Sequence, residues 1–300
     1  MADPGKDSVC GSPCRICGSP VETVGRRYGQ FARRSFTIGR CQQCGFACVV
    51  DPWLDYGLIY DSDYYEGRGA DPHVDYIAAL SDPDRTTQKF EWRGVMTCVN
   101  GIASVTDATR WLDYGCGVGG LVQYLRSHGI PHAVGFEQGW SVERLAEKGI
   151  PHLEAHDLPE LAGTFDVITA IEMIEHANDP LTELRRMRAL LKPGGILFLT
   201  TGNAGPYRHK LSEWRYIMPE VHISLFEPGT LALALSKAGF EAQYPGFGPG
   251  WTDMYKAKAL RTLGVQRTGP ISSLPPWPVL ARAFEARLQL ARQPIGVAIE

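Results

Sequence analysis

The sequence predicts an α/β fold, a parallel sheet covered by helices on both faces, preceded by a small metal-held ribbon. Three features carry that expectation. From Thr109 onward, short apolar runs alternate with amphipathic stretches, the pattern of strands joined by crossover helices. Arg110–Tyr114 leads into Gly115-Cys-Gly-Val-Gly-Gly120 and then Leu121-Val-Gln-Tyr-Leu125, a strand, a glycine turn and a helix. Upstream, Cys14-Arg-Ile-Cys17-Gly and Cys41-Gln-Gln-Cys44-Gly repeat one short pattern.

A chain of 300 residues, 44% of them hydrophobic, can bury one sizeable core and carry an appendage. Its net charge of −3 excludes a global pull toward nucleic acid or anionic membrane. It has no apolar run of about 18 residues and no charged-then-apolar leader, so neither a membrane span nor a secretory signal is expected. The expected location is the reducing cytoplasm, where eight cysteines point to metal rather than disulfides.

Residues 1–52 read as a zinc ribbon. Cys14, Cys17, Cys41 and Cys44 supply four thiolates to a tetrahedral Zn²⁺ and leave no open position for catalysis. The 23 residues between Cys17 and Cys41 ask for a long hairpin, and Cys10 and Cys48 flank the pairs as substitute ligands. Gly25–Arg40 holds five arginines, three aromatics and no acid. That composition suits a grip on nucleic acid, or a solvated hairpin whose arginines pair with acids elsewhere.

Residues 53–107 form a connector that Gly57, Gly67, Gly69, Pro72 and Pro83 cut into short pieces. Tyr60, Tyr64 and Tyr65 recur at helix-like spacing, either as core or as hydroxyls over a cofactor, with Tyr65 the binding candidate. His73–Asn100 reads as one or two helices capping a pocket.

Residues 108–300 form the main domain. Gly115, Gly117 and Gly119 let the backbone approach a ligand, and the free N–H groups of the next helix point at it. Asp113 lies where a pyrophosphate would pass and would repel it, but would attract the ammonium of S-adenosylmethionine, which has no phosphate. Glu137, 22 residues after Gly115, is placed to accept both hydroxyls of a ribose. Cys116 and Gln138 complete this candidate cofactor set, with Asp157 and Leu158 after the third strand and Ile171 ending the fourth. Asp157 is suited either to an adenine amino group or to closing its own turn. A helix over Ser141–Gly149 with Ser141 as its cap is expected, then a strand near His152–Ala155. The buried strand Phe165–Ile171 follows, then a helix over Leu181–Leu191 stopping at Lys192-Pro-Gly-Gly195, and a strand over Ile196–Thr200.

Asp113-Tyr-Gly-Cys-Gly-Val-Gly119, Glu137, Phe165-Asp-Val-Ile168, Glu172-Met-Ile-Glu-His176 and Leu191-Lys-Pro-Gly-Gly195 resemble, in order, the motifs of class I S-adenosylmethionine-dependent methyltransferases. The resemblance runs over residues 108–245. The ribbon and Tyr60-x-x-x-Tyr64-Tyr65 are similar to a subgroup found among bacterial sugar, polysaccharide and secondary-metabolite methyltransferases. It implies a Rossmann-like seven-stranded sheet whose last strand inserts antiparallel, with Gly239–Gly248 sixth and Gly296–Glu300 seventh. Residues 249–294 then form an insertion with helices Asp253–Leu263 and Pro278–Arg292, serving as a substrate wall or lid, or as the arm of a homodimer. The subgroup's Glu-His after the proline is here Glu220-Val-His222.

Methyl transfer is an in-line displacement at a sulfonium carbon, so a protein aligns the acceptor and excludes water. A hydroxyl or carbon acid also needs a base. Glu172, Glu175 and His176 stand at i, i+3 and i+4, on one face if that turn is helical, at the edge where the methyl would emerge. His222 is the other candidate base, and His209 and Tyr216 come third. The Glu172, Glu175, His176 trio also resembles a segment of ubiquinone-pathway O-methyltransferases linked to a divalent cation. The expected function is methyl transfer to a small-molecule hydroxyl or carbon. The alternatives are an RNA or protein methyltransferase gripping through the arginine-rich ribbon, and a non-catalytic cofactor-binding scaffold.

Overall fold

The ribbon and the main sheet contribute to one hydrophobic interior: Cys14, Val21, Cys41 and Phe46 pack in the same cluster as Tyr114, Ile168 and Leu197. The computed structural model describes residues 9–72, 74–244, 250–273, 275–290 and 297–299.

Four antiparallel strands build the ribbon: β1 (Val9–Pro13), β2 (Pro20–Gly29), β3 (Arg34–Cys41) and β4 (Ala47–Val49). The long spacing between the cysteine pairs is taken up by the β2–β3 hairpin, paired from Val21 opposite Cys41 to Gly29 opposite Arg34. Three of its five arginines are tied to other parts of the chain. Arg34 pairs with Asp51 at 2.9 Å, Arg40 with Glu227 at 2.7 Å, and Arg27 donates to the Ser212 carbonyl at 3.0 Å. In the connector, Tyr60 closes α1 (Tyr56–Ile59), α2 (Ser62–Tyr65) carries Tyr64 and Tyr65, and α3 (Tyr76–Ser81) and α4 (Gln88–Asn100) follow. Asp61 and Asp75 cap α2 and α3 by accepting from the backbone N–H groups of Tyr64 and Ala78.

The main sheet alternates as expected: β5 (Trp111–Tyr114), α5 (Gly120–Ser127), β6 (Ala133–Phe136), α6 (Trp140–Glu147), β7 (His152–Leu153), β8 (Phe165–Ile171), α7 (Pro180–Leu190) and β9 (Leu191–Thr200). The strand order is β7-β6-β5-β8-β9, and every pair is parallel. Two local expectations are corrected. Helix α6 starts at Trp140 after Gly139, and Ser141 is no cap: its side chain is buried, accepting from the Tyr65 hydroxyl at 3.3 Å. Strand β9 starts at Leu191 rather than Ile196, because Leu191 pairs with Phe165 and a bulge absorbs Lys192-Pro-Gly-Gly195 before Ile196 meets Val167.

After β9 come β10 (Ser224–Leu225), α8 (Pro228–Lys237), β11 (Glu241–Gln243), α9 (Trp251–Thr262), α10 (Pro270–Ser273), α11 (Trp277–Leu290) and β12 (Val297–Ile299). β11 and β12 pair antiparallel as a separate two-stranded sheet with β12 beside β9, so the expected seven strands appear as five parallel strands plus this antiparallel pair. The sixth strand is shorter than expected, and residues 245–248 of that expectation lie outside the described residues. β10 belongs elsewhere: it adds to the ribbon, Ser224 opposite Cys48 and Leu225 opposite Ala47. Helix α9 packs on α4, tied by the two-pronged Arg93–Asp253 pair at 2.6 Å. Among the described residues no helix is long and apolar enough to cross a membrane.

Gly119 shows why the turn after β5 needs glycine. Its φ is +83°, and a Cβ there would stand 2.7 Å from Leu145 and 2.8 Å from Ile150. Gly119→Ala is expected to lower stability by about 1–3 kcal/mol, read as a lower urea midpoint. An unchanged midpoint would mean that the turn relaxes freely.

Candidate active site

The ribbon cysteines come together first. One sulfur each from Cys14, Cys17, Cys41 and Cys44 lies within 4.8 Å of the others. Cys14 and Cys44 are 3.6 Å apart and Cys17 and Cys41 are 3.5 Å apart. A tetrahedron with Zn–S bonds of about 2.3 Å has edges of ~3.8 Å, so the four sulfurs fit a zinc ion. Gly18 and Gly45, both at φ +79°, turn the backbone around the sulfurs, and the Ile16 N–H points at Cys14 Sγ from 3.4 Å. Cys48 is buried in β4 outside this group, and the side chain of Cys10 lies outside the described residues.

At the carboxyl edge of the main sheet, Asp113 is buried and held by a relay. The Trp111 indole N–H donates to Thr169 Oγ1 at 3.1 Å, and that hydroxyl donates to Asp113 Oδ1 at 2.8 Å. Glu137 receives the Gly117 N–H at 2.8 Å and the Gln138 N–H at 2.9 Å. Burial pushes Asp113 up to about 7, with Glu137 adding to it and the Thr169 hydroxyl opposing. Burial also raises Glu137. Two buried acids that destabilise each other's charge suit a cationic ligand carrying hydroxyls, and the residues fit S-adenosylmethionine for that reason.

The rest of the predicted cofactor set surrounds this turn. Tyr65 is buried, stacks on Trp140 with centroids 5.4 Å apart, and its ring lies 3.6 Å from where a Gly117 Cβ would be. Cys116 sits beneath the turn, where a Cβ on Gly135 would meet its sulfur at 2.4 Å. Gly115, at φ +81°, faces Met173, and Ile171 ends β8. Asp157 follows β7, but its Oδ2 accepts from the Glu154 N–H at 2.8 Å, so it closes its own turn. Leu158 starts a 3-10 turn over Leu158–Leu161.

Four predicted acid and base residues form a second cluster with Tyr216 at its centre. Its hydroxyl donates to Glu175 Oε1 and lies 3.3 Å from Glu172 Oε2. Thr201 Oγ1 donates to Glu175 at 2.8 Å and Thr200 Oγ1 to Glu172 at 2.9 Å. Lys258 of α9 ion-pairs with Glu172, whose backbone sits at φ +50°. The two carboxyls are driven apart in acidity. Burial, reinforced by the charge of Glu172, lifts Glu175 to about 8. Burial opposes ionisation of Glu172 too, but Lys258 and Arg261 hold it at about 2.

Both histidines adjoin these acids. His222 Nδ1 lies 2.6 Å from the Tyr216 carbonyl, which only accepts, so Nδ1 carries the proton and Nε2 the lone pair. The His222 ring stacks on Tyr216 at 4.2 Å and meets His176 edge-on at 5.1 Å. His176 Nδ1 pairs with the Tyr60 hydroxyl at 2.7 Å, and burial, with His222 beside it, lowers its pKa to about 3. Glu175, His176 and His222 each place one possible ligand atom within 4.8 Å of the others. His209, unlike the buried histidine of the cluster, His222, is exposed.

Sequence reasoning ranked Tyr216 third, and it missed Lys258, Thr200 and Thr201. Thr200 and Thr201 sit just after the apolar run of β9, at the sheet edge where such side chains meet a ligand, which was a usable signal. Lys258 had none, since a lysine on an amphipathic helix reads as solvated.

The family model described as "Methyltransferase domain" matches residues 71–244. The ubiquinone biosynthesis O-methyltransferase of Marinobacter nauticus is 38% identical over 109 residues, 32% of this chain and 45% of that protein. The enzyme of the same name from Pseudomonas aeruginosa is 37% identical over 105 residues, again 32% and 45%. The chain thus spans less than half the length of these relatives. A solved S-adenosylmethionine-dependent methyltransferase from Mesorhizobium loti superposes with a TM-score of 0.45 at 17% identity, covering 71% of this chain and 96% of that one. With more than half of its length matched by the family model, the chain belongs to the methyltransferase-domain family of S-adenosylmethionine-dependent enzymes.

Proposed function

We propose that the protein methylates a hydroxyl or carbon acid of a small molecule, with His222 as the base. The observation that carries this reading is the fixed tautomer of His222, its Nδ1 proton held by the Tyr216 carbonyl at 2.6 Å in a cluster with Glu175 and His176. When bound, S-adenosylmethionine supplies an activated methyl group and the driving force. Asp113 and Glu137 hold its charged and hydroxyl groups, and Tyr65 covers the glycine turn. His222 Nε2 would take the proton of an acceptor hydroxyl, and the bound cofactor would supply the methyl group, its sulfonium–methyl bond breaking to leave a neutral thioether. Ionised Glu172 stabilises the resulting imidazolium. Glu175, its carboxyl raised in pKa by burial and by the charge of Glu172, keeps the Tyr216 hydroxyl in place.

The small-molecule reading is also supported by the ribbon arginines, since Arg34 and Arg40 are already paired with acids of the chain. Methyl transfer from labelled S-adenosylmethionine into fractionated host extract tests it, with Gly117→Arg as the control. Label in a low-mass pool supports the proposal, and label in RNA or protein replaces it with the macromolecular reading. Cofactor binding with no transfer to any pool favours the scaffold.

One observation favours a second reading, in which a divalent cation shares the site: the ligand atoms of Glu175, His176 and His222 lie within 4.8 Å of one another. The expected result in that case is transfer abolished by chelator treatment and restored by Mg²⁺ or Mn²⁺, with the ribbon still zinc-loaded. Full activity in metal-stripped buffer eliminates it.

A further inference from the structure

A line of backbone hydrogen bonds runs from the ribbon to the acid and base cluster. The Val49 N–H of β4 donates to the Ile223 carbonyl at 3.1 Å, and the Ile223 N–H donates to the Glu175 carbonyl at 2.9 Å. One residue on, Ser224 pairs with Cys48, and its hydroxyl donates to the Ala177 carbonyl at 2.7 Å. The residue after His222 is therefore clamped between the ribbon and the turn that carries Glu175 and His176.

A second tie lies at the hairpin tip. Glu220, 3% exposed, accepts the backbone N–H groups of Phe31 at 3.1 Å and Ala32 at 3.0 Å through one oxygen. Gly29 packs so closely here that a Cβ would stand 2.2 Å from Glu220 Oε1. The departure from Glu-His to Glu220-Val-His222 gains a physical meaning. The two side chains serve different partners, Glu220 the ribbon and His222 the cluster.

The apolar interior agrees. Phe36, Ile38 and Val49 of the ribbon pack in one cluster with Trp214, Ile217 and Ile223. The segment between β9 and β10 has short 3-10 turns at Gly205–Tyr207 and Leu211–Glu213, and its own bonds, such as the His222 N–H to the Met218 carbonyl at 2.8 Å, close local turns, so the ribbon contacts decide where those turns sit. The metal end is continuous with this contact, since the Cys41 N–H donates to the Phe46 carbonyl at 2.8 Å, closing the turn from β3 into β4.

We propose that the ribbon is the strut of the acceptor side, with Glu220 as a positioning residue. Zinc on the four cysteines fixes the β3–β4 turn; β4 and the hairpin tip then hold His222 against Glu175 and His176. The use made of His222 rests on the methyl-transfer reading, whereas the mechanical coupling belongs to the chain alone.

Hydrogen exchange on the full chain tests the coupling without a known acceptor. In zinc-loaded Glu220→Ala, amides of residues 217–225 and 174–177 are expected to exchange at least tenfold faster, with the β5 and β6 amides unchanged. Glu220→Gln, which still offers an oxygen to Phe31 and Ala32, is expected to restore most of the protection. Stripping zinc with a chelator is expected to accelerate the same amides along with those of β3 and β4. Should chelation unfold the whole chain, the Ala and Gln variants decide alone. Unchanged exchange over residues 217–225 in Glu220→Ala, or a ribbon that opens without affecting them, would overturn the proposal. Labelled S-adenosylmethionine separates the two ideas. Binding without transfer in the wild type sinks the methyl-transfer reading alone, whereas transfer alongside unchanged exchange sinks only the coupling.

Discussion

Replacing His222 with alanine is expected to cut methyl transfer by about 10²–10⁴-fold, the usual worth of a positioned base, while cofactor affinity stays at the wild-type level. His222 lies in the acid and base cluster, stacked on Tyr216 and edge-on to His176, whereas the groups proposed to hold the cofactor, Asp113 and Glu137, belong to β5 and the end of β6. The comparison to make is single-turnover transfer from labelled S-adenosylmethionine beside a calorimetric titration of the same cofactor. His222→Gln is the informative companion, since its size is similar and its amide is no base at neutral pH. His176→Ala is expected to cost less, because its partners are Tyr60 and the edge of His222. Wild-type turnover in both alanine variants would remove the proposed base. A matching loss of cofactor affinity would recast His222 as structural.

Asp113→Asn is expected to weaken cofactor binding by about 10–100-fold at pH 8, the scale of one hydrogen bond to a charged group. It should also flatten the pH dependence. Burial sets Asp113 at about 7 in the free chain, above its ordinary value of 3.8. The free folded chain therefore gains stability from the retained proton at low pH and loses it as pH rises through about 7. A bound cation needs the ionised form, so below pH 7 binding must release that proton. The dissociation constant should then rise by about tenfold per pH unit below 7, and cofactor should raise the melting temperature more at pH 8 than at pH 6. In Asp113→Asn both slopes vanish. A wild-type profile that is flat across this range would mean that Asp113 does not meet the cofactor's charge.

Whatever depends on near neighbours was legible in the sequence. The glycine turn, Asp113 before it and Glu137 after β6 are set by chain direction and strand length, because the carboxyl ends of parallel strands share one edge. The cysteine pairs are local too, each with its glycine at φ +79°. Even the 23-residue gap between pairs was readable as a long hairpin. Only tertiary structure decided the acceptor side. Tyr216 bridges two carboxyls 41 and 44 residues away, Lys258 reaches Glu172 across 86, and β4 pairs with a two-residue strand far along the chain. No periodicity announces such contacts, since a single side chain or a two-residue strand leaves no repeating pattern. Their partners are chosen by packing, when the ribbon's apolar face finds the loop beside the sheet. The sequence by itself determined the family and the glycine turn with its two acids at the carboxyl edge of the sheet. The arrangement of the acids and histidines, with Glu175 raised and Glu172 lowered in pKa, came from burial and from a lysine on α9.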